Sequence, residues 1–376
     1  MHAIMYRDTW AEVDLGCIAD NVRQAKAWIG ASVRFMAVVK ADGYGHGALP
    51  VSLTALAAGA DWLGVATLDE ALELRAAGII APILVLGYVA AEYANVAAEF
   101  DIVLTVVSVS HATALACMTT DRPLQVHLKI DTGMGRLGVR TGDEIERCCA
   151  ILRGSCARIA GAFTHFAEAD GRDKRHALHQ LALAQSRFLI VRQCTDSSEE
   201  PVFHAANSAA TLSIPEAHLD MVRFGISLYG IPPSDEVDGQ NVPLRPALRL
   251  FTRIAQLKTV PAGTTIGYGR TYSTTAETRV ATLPIGYADG VLRALSNKGY
   301  VTVKGRACPI LGRVCMDQIM VDASSVPEVK EGDVAAVYDE HSLRNLSRLA
   351  GTIPYELLCA ISRRVPRTYI PPDPVL

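Results

Sequence analysis

The sequence contains no concentrated block of basic charge. Its 376 residues carry a net charge of −3, and charged residues make up 20% of the chain, with lysine and arginine scattered along it. Domains that bind nucleic acid gather their basic residues into a patch or stripe. The even spread argues against a nucleic-acid partner and favours a small molecule.

The chain also opens without a long apolar run. Its first segment, MHAIMYRDTWAEVDL, places Arg7, Asp8, Glu12 and Asp14 among the apolar residues. A signal-peptide core or a membrane span requires an apolar segment without such charges. We therefore expect a cytoplasmic protein that makes no membrane contact.

The cysteines lack the spacing of a disulfide framework or a metal site. Their number, nine, is odd, and the adjacent pair Cys148 and Cys149 has neither CxxC nor Cys/His spacing. We expect reduced thiols, most of them packing residues, and no metal.

Eight short apolar segments alternate with helical patterns in the first two thirds of the chain. LDEALELRAAG and LHQLALAQSRFLIVRQ repeat leucine and alanine every three or four residues, as amphipathic helices do. Near-continuous apolar strands suit a parallel sheet covered by helices. Eight such units in about 240 residues predict a (β/α)₈ TIM-type barrel, which we assign to residues 1–244. The predicted strands are 34–40, 61–67, 82–88, 101–107, 123–130, 158–166, 202–207 and 220–225.

The amino-acid composition and the length of the apolar segments change near residue 245. IPPSDEVDGQNVPLRP has the composition of a linker. The segments beyond it are short and β-like, separated by turn signals such as PAG and EGD. Residues 245–376 are therefore predicted to form a mostly β domain that ends with helical SLRNLSRLAG and YELLCAISRRV. The alternating segment at 9–14 could pair with this domain instead of the barrel.

Several polar residues follow the barrel strands directly, where the loops at the C-terminal face line the mouth of such a barrel. A single lysine at a strand end is more often a solvated surface group. Several polar groups converging on one mouth are a stronger signal for a binding site. These residues are Lys40, Lys129, Arg136, His165, Asn207, Ser208, Arg223 and Gly225.

Two of the loops could hold a phosphate. RFGISLYG follows the eighth strand, where barrels commonly bind phosphate through backbone N–H groups, and NSAAT could add a hydroxyl. A glycine turn and an ordinary helix cap explain them equally well. Lys40 lies across the mouth from this predicted phosphate site. A barrel with this arrangement could hold pyridoxal phosphate as a Schiff base on the lysine.

A dinucleotide site is the competing interpretation. Gly43, Gly45 and Ala48 satisfy a relaxed G-x-G-x-x-G/A pattern, with Asp69 further along. However, the bulky Tyr44 lies inside the pattern, a lysine ends the strand, and the second domain supplies no other nucleotide half. We therefore disfavour it.

Nine segments in order resemble the alanine racemase family, fold-type III pyridoxal-phosphate enzymes. They are AVVKADGYGHGA, HLKIDTGMGRLGVR, FTHFAEAD, NSAAT, VRFGISLYG, IGYGRTY, LPIGYADG, GRVCMDQIMVD and PYELLCAISRRVPR. The resemblance implies a barrel with a C-terminal β domain and a homodimer in which two subunits build each site. It also implies interconversion of L-alanine and D-alanine, which supplies D-alanine for peptidoglycan.

The resemblance assigns roles to individual residues. Lys40 matches the lysine that holds the cofactor and acts as one base, and Tyr268 matches the opposite base, supplied by the partner subunit. His165 and Arg223 match the pair that assists this tyrosine, and Arg223 would also face the pyridine nitrogen of the cofactor. A fold-type III decarboxylase would have an acidic residue at the place of Arg223. A non-catalytic pyridoxal-phosphate barrel would lack the β domain.

The remaining implied roles concern binding. Arg136 and the backbone N–H of Met316 match contacts to the substrate carboxylate, and Lys129 matches a lysine that is carbamylated in many members. At the place of Tyr355, related serine racemases have asparagine, so tyrosine favours alanine. Phosphate contacts are implied for Tyr44, Ser208, Gly225, Ile226 and Tyr355, and the lining of the substrate entrance for Tyr287, Arg313 and Asp170.

Overall fold

A computed structural model describes residues 6–195, 200–237 and 241–372. The chain forms two compact units. The first, called the barrel unit, contains residues 17–43 and 48–245, and the second, called the β unit, contains residues 1–16, 44–47 and 246–376. Residues 238–240 of the predicted linker lie outside the described residues. Of the helices described, none has the length and apolar character needed to cross a membrane.

The barrel unit is built on an eight-stranded parallel sheet, which confirms the predicted TIM-type barrel. Strand β1 (Thr9–Asp14) belongs to the β unit. The barrel strands run in the order β8-β7-β6-β5-β4-β3-β2-β9. They are β2 (Arg34–Val38), β3 (Trp62–Val65), β4 (Ile83–Val85), β5 (Ile102–Val106), β6 (Leu124–Lys129), β7 (Ala157–Phe163), β8 (Val202–His204) and β9 (Met221–Phe224).

Two kinds of contact bring the ends of this sheet together. β9 pairs with β2 from Arg34 opposite Met221 to Ala37 opposite Phe224. Between β8 and β9, the Arg223 N–H donates to the Ala206 carbonyl at 3.0 Å. The strand ends that follow β6, β7, β8 and β9 therefore surround one mouth.

Helices follow the strands, as βαβ connections require. The Thr67 hydroxyl accepts from the Glu70 N–H and the Glu70 carboxylate accepts from the Thr67 N–H, so a capping box begins the helix Leu68–Ala76. Thr141 and Glu144 begin the helix Gly142–Leu152 in the same way. The helical segments up to residue 213 are α1 (Leu15–Ile29), α2 (Lys40–Tyr44), α3 (Ala48–Ala57), α4 (Leu68–Ala76), α5 (Ala94–Glu99), α6 (Val109–Ala116), α7 (Gly142–Leu152), α8 (Arg175–Cys194) and α9 (Ser208–Ser213).

The β unit is mostly β, as predicted. Its largest sheet has the order β16-β15-β18-β10-β1-β19, and β1 lies between β10, which is antiparallel to it, and β19, which is parallel. Smaller sheets have the orders β11-β14-β17 and β12-β13. The strands are β10 (Leu248–Arg253), β11 (Gln256–Val260), β12 (Thr265–Ile266), β13 (Tyr272–Ser273), β14 (Thr278–Leu283), β15 (Tyr300–Val303), β16 (Arg306–Pro309), β17 (Ile319–Asp322), β18 (Val334–Tyr338) and β19 (Arg367–Ile370).

Two short helices complete the β unit, α10 (Leu343–Ala350) and α11 (Pro354–Cys359). Gly351 ends α10 in the left-handed conformation, the usual role of glycine at that position. The predicted helix YELLCAISRRV is shorter than expected, because α11 ends at Cys359.

Candidate active site

Lys40 begins a single left-handed turn at the end of β2. The turn is α2, in which Ala41, Asp42 and Gly43 have φ of 53°, 52° and 61°, followed by Tyr44 at 52°. Left-handed backbone costs a non-glycine residue roughly 1–2 kcal/mol. Ala41, Asp42 and Tyr44 therefore store strain directly beside the half-buried Lys40.

Glu70 holds this turn in place. Its Oε1 accepts a hydrogen bond from the Ala41 N–H at 2.6 Å, and its Oε2 accepts from the Ala66 N–H at 2.7 Å. On the other side, Asp42 Oδ1 accepts from the Ala48 N–H at 2.9 Å. The carboxylate of Glu70 thus joins the residue after Lys40 to the end of β3.

Arg223 lies buried at the centre of the mouth, with 3% of its surface exposed. Its Nη2 donates to the carbonyls of Thr164 at 2.8 Å and Ala205 at 2.9 Å and contacts His165 Nδ1 at 3.2 Å. Its Nη1 contacts His204 Nδ1 at 2.9 Å. The guanidinium therefore has a fixed position and orientation.

These contacts determine the protonation of His165. Nη2 has two hydrogens for three acceptors, so one N–H is shared. Because a guanidinium only donates hydrogen bonds, the lone pair of His165 Nδ1 faces it, and the proton of the neutral ring lies on Nε2. Burial and then the charges of Arg223, Lys129, Arg136 and Lys40 hold the pKa of His165 well below its usual value. His165 is therefore neutral across the physiological pH range.

Lys129 is a buried lysine among these cations. It is 5% exposed, and within the described part of the chain its Nζ has no hydrogen-bond partner. Nζ lies 4.5 Å from the centroid of the Phe163 ring. Burial, Arg223 and Arg136 lower the pKa of Lys129 well below that of a free lysine, and Asp131 opposes them. Its amine is poised to be neutral.

Asp131 organises the loop that carries Arg136. Its Oδ1 accepts from the Gly133 N–H at 3.1 Å and the Gly135 N–H at 3.0 Å. Burial opposes ionisation of Asp131, but the backbone N–H groups of Gly135, Gly133 and Met134, together with the charge of Arg140, lower the pKa of this carboxyl. Arg136, next to Gly135, is exposed and free to reach an anion.

Ser208 links the loops after β8 and β9. Its Oγ accepts from the Gly225 N–H at 2.8 Å and from the Ser227 N–H at 3.4 Å. Ile226 begins a short 3₁₀ turn, Ile226–Tyr229, between these two N–H groups. Asn207 is a helix cap, because its side chain accepts from the Ala210 N–H at the start of α9.

In the β unit, Tyr268 protrudes from a glycine-flanked loop. It is 71% exposed, between Gly267 at φ 71° and Gly269 at φ 72°. A Cβ at Gly269 would lie 3.2 Å from the guanidinium carbon of Arg313, so this arginine packs under the loop. The loop thereby presents an exposed tyrosine above a closely packed arginine.

Met316 and Tyr287 lie on two joined segments of the same unit. The Tyr287 N–H donates to the Cys315 carbonyl at 3.0 Å and the Ala288 N–H donates to the Met316 carbonyl at 3.0 Å. Both side chains are exposed, Met316 to 52% and Tyr287 to 43%. Together with Tyr268 they are exposed large side chains of the β unit.

Tyr44 and Tyr355 also meet within the β unit, with ring centroids 6.2 Å apart. Burial, then Tyr355 and Cys359, raise the pKa of Tyr44, so its phenol stays protonated and can donate. A Cβ at Gly45 would lie 2.2 Å from the Leu358 carbonyl oxygen. Close packing within the β unit therefore explains this glycine of VVKADGYGHG without a nucleotide.

The predicted site residues thus divide between the units. The β unit contains Tyr44, Tyr268, Met316 and Tyr355, together with Tyr287 and Arg313. Asp170 is exposed in the barrel unit, where its carbonyl accepts from Ser234 Oγ. The barrel unit brings together Lys40, Lys129, Arg136, His165, Ser208, Arg223, Gly225 and Ile226.

Four residues near the mouth were missed by the sequence reasoning: Glu70, His127, His204 and Gln180. Gln180 is fully buried on α8. Its Nε2 donates to the His165 carbonyl at 3.2 Å, and its Oε1 accepts from the Ala167 N–H at 2.9 Å. A glutamine on the apolar face of a predicted helix was the available signal, since polar groups are buried there only when they are bonded.

A parallel barrel with basic side chains and a neutral histidine at its mouth has the form of a barrel enzyme for small molecules that carry an anionic group. Two sequence profiles identify the family. The profile "Alanine racemase, N-terminal domain" matches residues 13–233, and "Alanine racemase, C-terminal domain" matches residues 247–369. The chain belongs to the alanine racemase family.

Individual relatives agree with the profiles. An alanine racemase of Desulfovibrio desulfuricans is 43% identical over 370 residues, which cover 97% of this chain and 98% of the relative. A Bacillus anthracis alanine racemase solved with bound L-Ala-P superposes with a TM-score of 0.90 at 41% identity, covering 98% of this chain and 96% of the other. One from Clostridium difficile has a TM-score of 0.91 at 36% identity, with 98% and 97% covered.

Proposed function

We propose that this racemase interconverts L-alanine and D-alanine with pyridoxal 5′-phosphate as its cofactor. The observation that carries the proposal is the convergence of Lys40, Lys129, Arg136 and Arg223 on the neutral His165. Basic side chains around one mouth favour an anionic ligand, and an amino acid bound to a phosphorylated cofactor supplies carboxylate and phosphate together.

The residues of the mouth suit this cofactor. Lys40 offers a primary amine. For a phosphate, the loops joined by Ser208 offer the Ser208 O–H and the backbone N–H of Ile226, while the Gly225 N–H, which donates to Ser208 Oγ, holds that hydroxyl in place. Arg223 offers a fixed donor for a ring nitrogen. We propose that Tyr44 and Tyr355 add phosphate contacts. When bound, the cofactor withdraws electrons from the substrate and weakens its Cα–H bond.

In a two-base racemisation, one base acts on each face of the substrate carbon. We propose that the Lys40 amine removes or returns the Cα proton on one face and that the Tyr268 phenol does so on the other. Tyr268 is 71% exposed in its own chain, which suits a residue that acts in a neighbouring subunit. We therefore propose a homodimer in which each subunit supplies Tyr268 to the site of the other.

The remaining residues bind and orient. Arg136 and the backbone N–H of Met316 are proposed to hold the substrate carboxylate, with Tyr287, Arg313 and Asp170 lining the entrance. His165, with its proton on Nε2, is a neutral donor that can stabilise the phenolate form of the tyrosine. Arg223 fixes this tautomer through its bond to His165 Nδ1.

Mixing two inactive variants tests the shared site. Lys40→Ala and Tyr268→Phe should each lower kcat by about a hundredfold or more. If each site combines Lys40 of one subunit with Tyr268 of the other, a heterodimer of the two variants has one intact site. Random subunit exchange should then restore about a quarter of wild-type activity. No recovery, with exchange verified by mass spectrometry, would place both residues in one chain's site.

Lys129 is proposed to carry a carbamate. A neutral lysine amine adds to the carbon of CO₂, one C=O electron pair moves to oxygen, and the nitrogen loses a proton. The lowered pKa of Lys129, caused by burial and then by Arg223 and Arg136, favours the required neutral amine. The resulting anion would pair with Arg136. A ¹³C carbamate signal in ¹³CO₂-equilibrated enzyme, absent from Lys129→Gln, is expected; no signal at saturating CO₂ would refute it.

We further propose that the enzyme acts in the cytoplasm and supplies D-alanine for peptidoglycan. A bacterium that lacks alanine racemase and requires D-alanine should grow without it when it expresses this chain. The Lys40→Ala variant should not restore growth. Growth that still required D-alanine, with soluble protein present in the cytoplasmic fraction, would contradict this role.

A further inference from the structure

Two buried histidines extend inward from Arg223 and are not used in the proposed mechanism. His204 Nδ1 lies 2.9 Å from Arg223 Nη1, and His204 Nε2 lies 2.9 Å from His127 Nδ1. Both rings are fully buried. The His204 ring also stacks on Phe163 at 4.8 Å between centroids, with an interplanar angle of 9°.

The direction of each hydrogen bond follows from the donor-only chemistry of arginine. Because Arg223 must donate, His204 Nδ1 accepts, and a neutral His204 carries its proton on Nε2. That proton points at His127 Nδ1, which must accept in turn. His127 then carries its own proton on Nε2. The chain Arg223–His204–His127 has one consistent hydrogen-bond direction as long as both rings are neutral.

The fold makes special room for His127. A Cβ at Gly161 on the neighbouring strand β7 would lie 2.8 Å from His127 Nε2 and Cε1, and the β6–β7 register shifts at this residue. Within the described residues, His127 Nε2 has no hydrogen-bond partner. An apolar side chain would fill the place without a buried N–H, so packing alone does not account for a histidine here.

We propose that His127 is a positioning residue that holds His204 in its Nε2–H tautomer, so that His204 presents a bare Nδ1 to Arg223. If His204 took the other tautomer, its N–H would face the guanidinium, and Arg223 would lose an acceptor. Arg223 also holds His165 through Nη2. His127 therefore supplies, from inside the barrel, the acceptor that completes the chain of hydrogen bonds ending at Arg223 and His165.

The first test measures tautomers directly. Holoenzyme labelled with [¹⁵N]histidine should show, in two-bond ¹H–¹⁵N spectra, His204 and His127 as single Nε2–H tautomers, with signals assigned by His→Asn variants. A wild-type His204 carrying its proton on Nδ1 would overturn the proposal without any variant. This measurement does not depend on the proposed function.

The second test compares two substitutions. His127→Asn places an amide oxygen near the position of Nδ1 and can accept from His204, whereas His127→Leu cannot. We expect mixed His204 tautomers in the leucine variant and a kcat about tenfold below wild type, the scale of a lost outer hydrogen bond on an active-site group. The asparagine variant should keep one tautomer and most of kcat.

A buried histidine elsewhere provides the control. His218 precedes β9, at the opposite end of the strand from the mouth, and its Nε2 bonds to the Thr211 carbonyl at 2.9 Å. His218→Leu should destabilise the protein but leave kcat and the His204 tautomer unchanged. A His127→Leu enzyme with a single His204 tautomer and wild-type kcat would refute the proposal. An inactive wild type would refute the racemase function instead and leave the tautomer result standing.

Discussion

Removing the carboxylate of Glu70 should loosen the turn that carries Lys40. The carboxylate bonds the Ala41 N–H at 2.6 Å, and a hydrogen bond to a charged group contributes about 1.5–3 kcal/mol. Partial exposure of Glu70 reduces this to about 1.4 kcal/mol, which corresponds to a factor of about ten in an equilibrium. Without this hydrogen bond, the strained residues Ala41, Asp42 and Tyr44 would relax toward ordinary backbone conformations.

We therefore expect Glu70→Ala to lower the kcat for alanine racemisation about tenfold, with a smaller loss for Glu70→Gln, which keeps one oxygen. Glu144 is the matched control, because it forms the same capping box on α7 and accepts from the Arg140 N–H at 2.6 Å. Glu144→Ala should cost about 1 kcal/mol of stability without changing kcat. Equal kcat in Glu70→Ala and wild type, measured on fully loaded enzyme, would refute the link between Glu70 and Lys40.

Two further predictions concern stability. Gly45→Ala should destabilise the β unit by roughly 2–4 kcal/mol in urea unfolding, because φ is 83° and the new Cβ meets the Leu358 oxygen. The control, Gly305→Ala, has a similar φ of 77° but lies in open space, so it should cost only about 1 kcal/mol. Equal losses of stability in the two variants would refute the packing argument. Burial and the Arg223 charge lower the pKa of His127 to about 3, and the same causes lower that of His204, so below pH 6.5 only the unfolded chain protonates them. The free energy of unfolding should therefore fall by about 1.4 kcal/mol per histidine between pH 7.5 and 5.5. The His127→Leu variant should lose one of these two contributions. The same pH dependence in this variant as in the wild type would contradict the prediction.

Much of the fold could be predicted from the sequence, because each barrel strand is a short apolar run and each helix repeats its leucines and alanines. The polar residues at the strand ends were also visible. The bonds among them were not. His127 and His204 are 77 residues apart. They meet only because β6 and β8 both pair with β7, where Gly161 leaves room for the His127 ring, and no local pattern indicates this.

The glycines of VVKADGYGHG show the same limit. Their spacing matched a nucleotide pattern, yet Gly45 is required by a carbonyl more than 300 residues further along the chain. The left-handed backbone of Ala41 and Asp42 has no sequence signal either, since both residues prefer other conformations. Long-range packing selects these conformations, so they became visible only in three dimensions.

The central claim, two bases on opposite faces, is tested most directly by racemisation of L-alanine in D₂O. With Lys40 and Tyr268 as separate bases, the proton leaves on one face and a solvent-derived deuteron arrives on the other. Early D-alanine should therefore carry deuterium at Cα in nearly every molecule, while the unreacted L-alanine keeps its proton. D-alanine that retains much of the original proton would show a single base working on both faces and would contradict the mechanism.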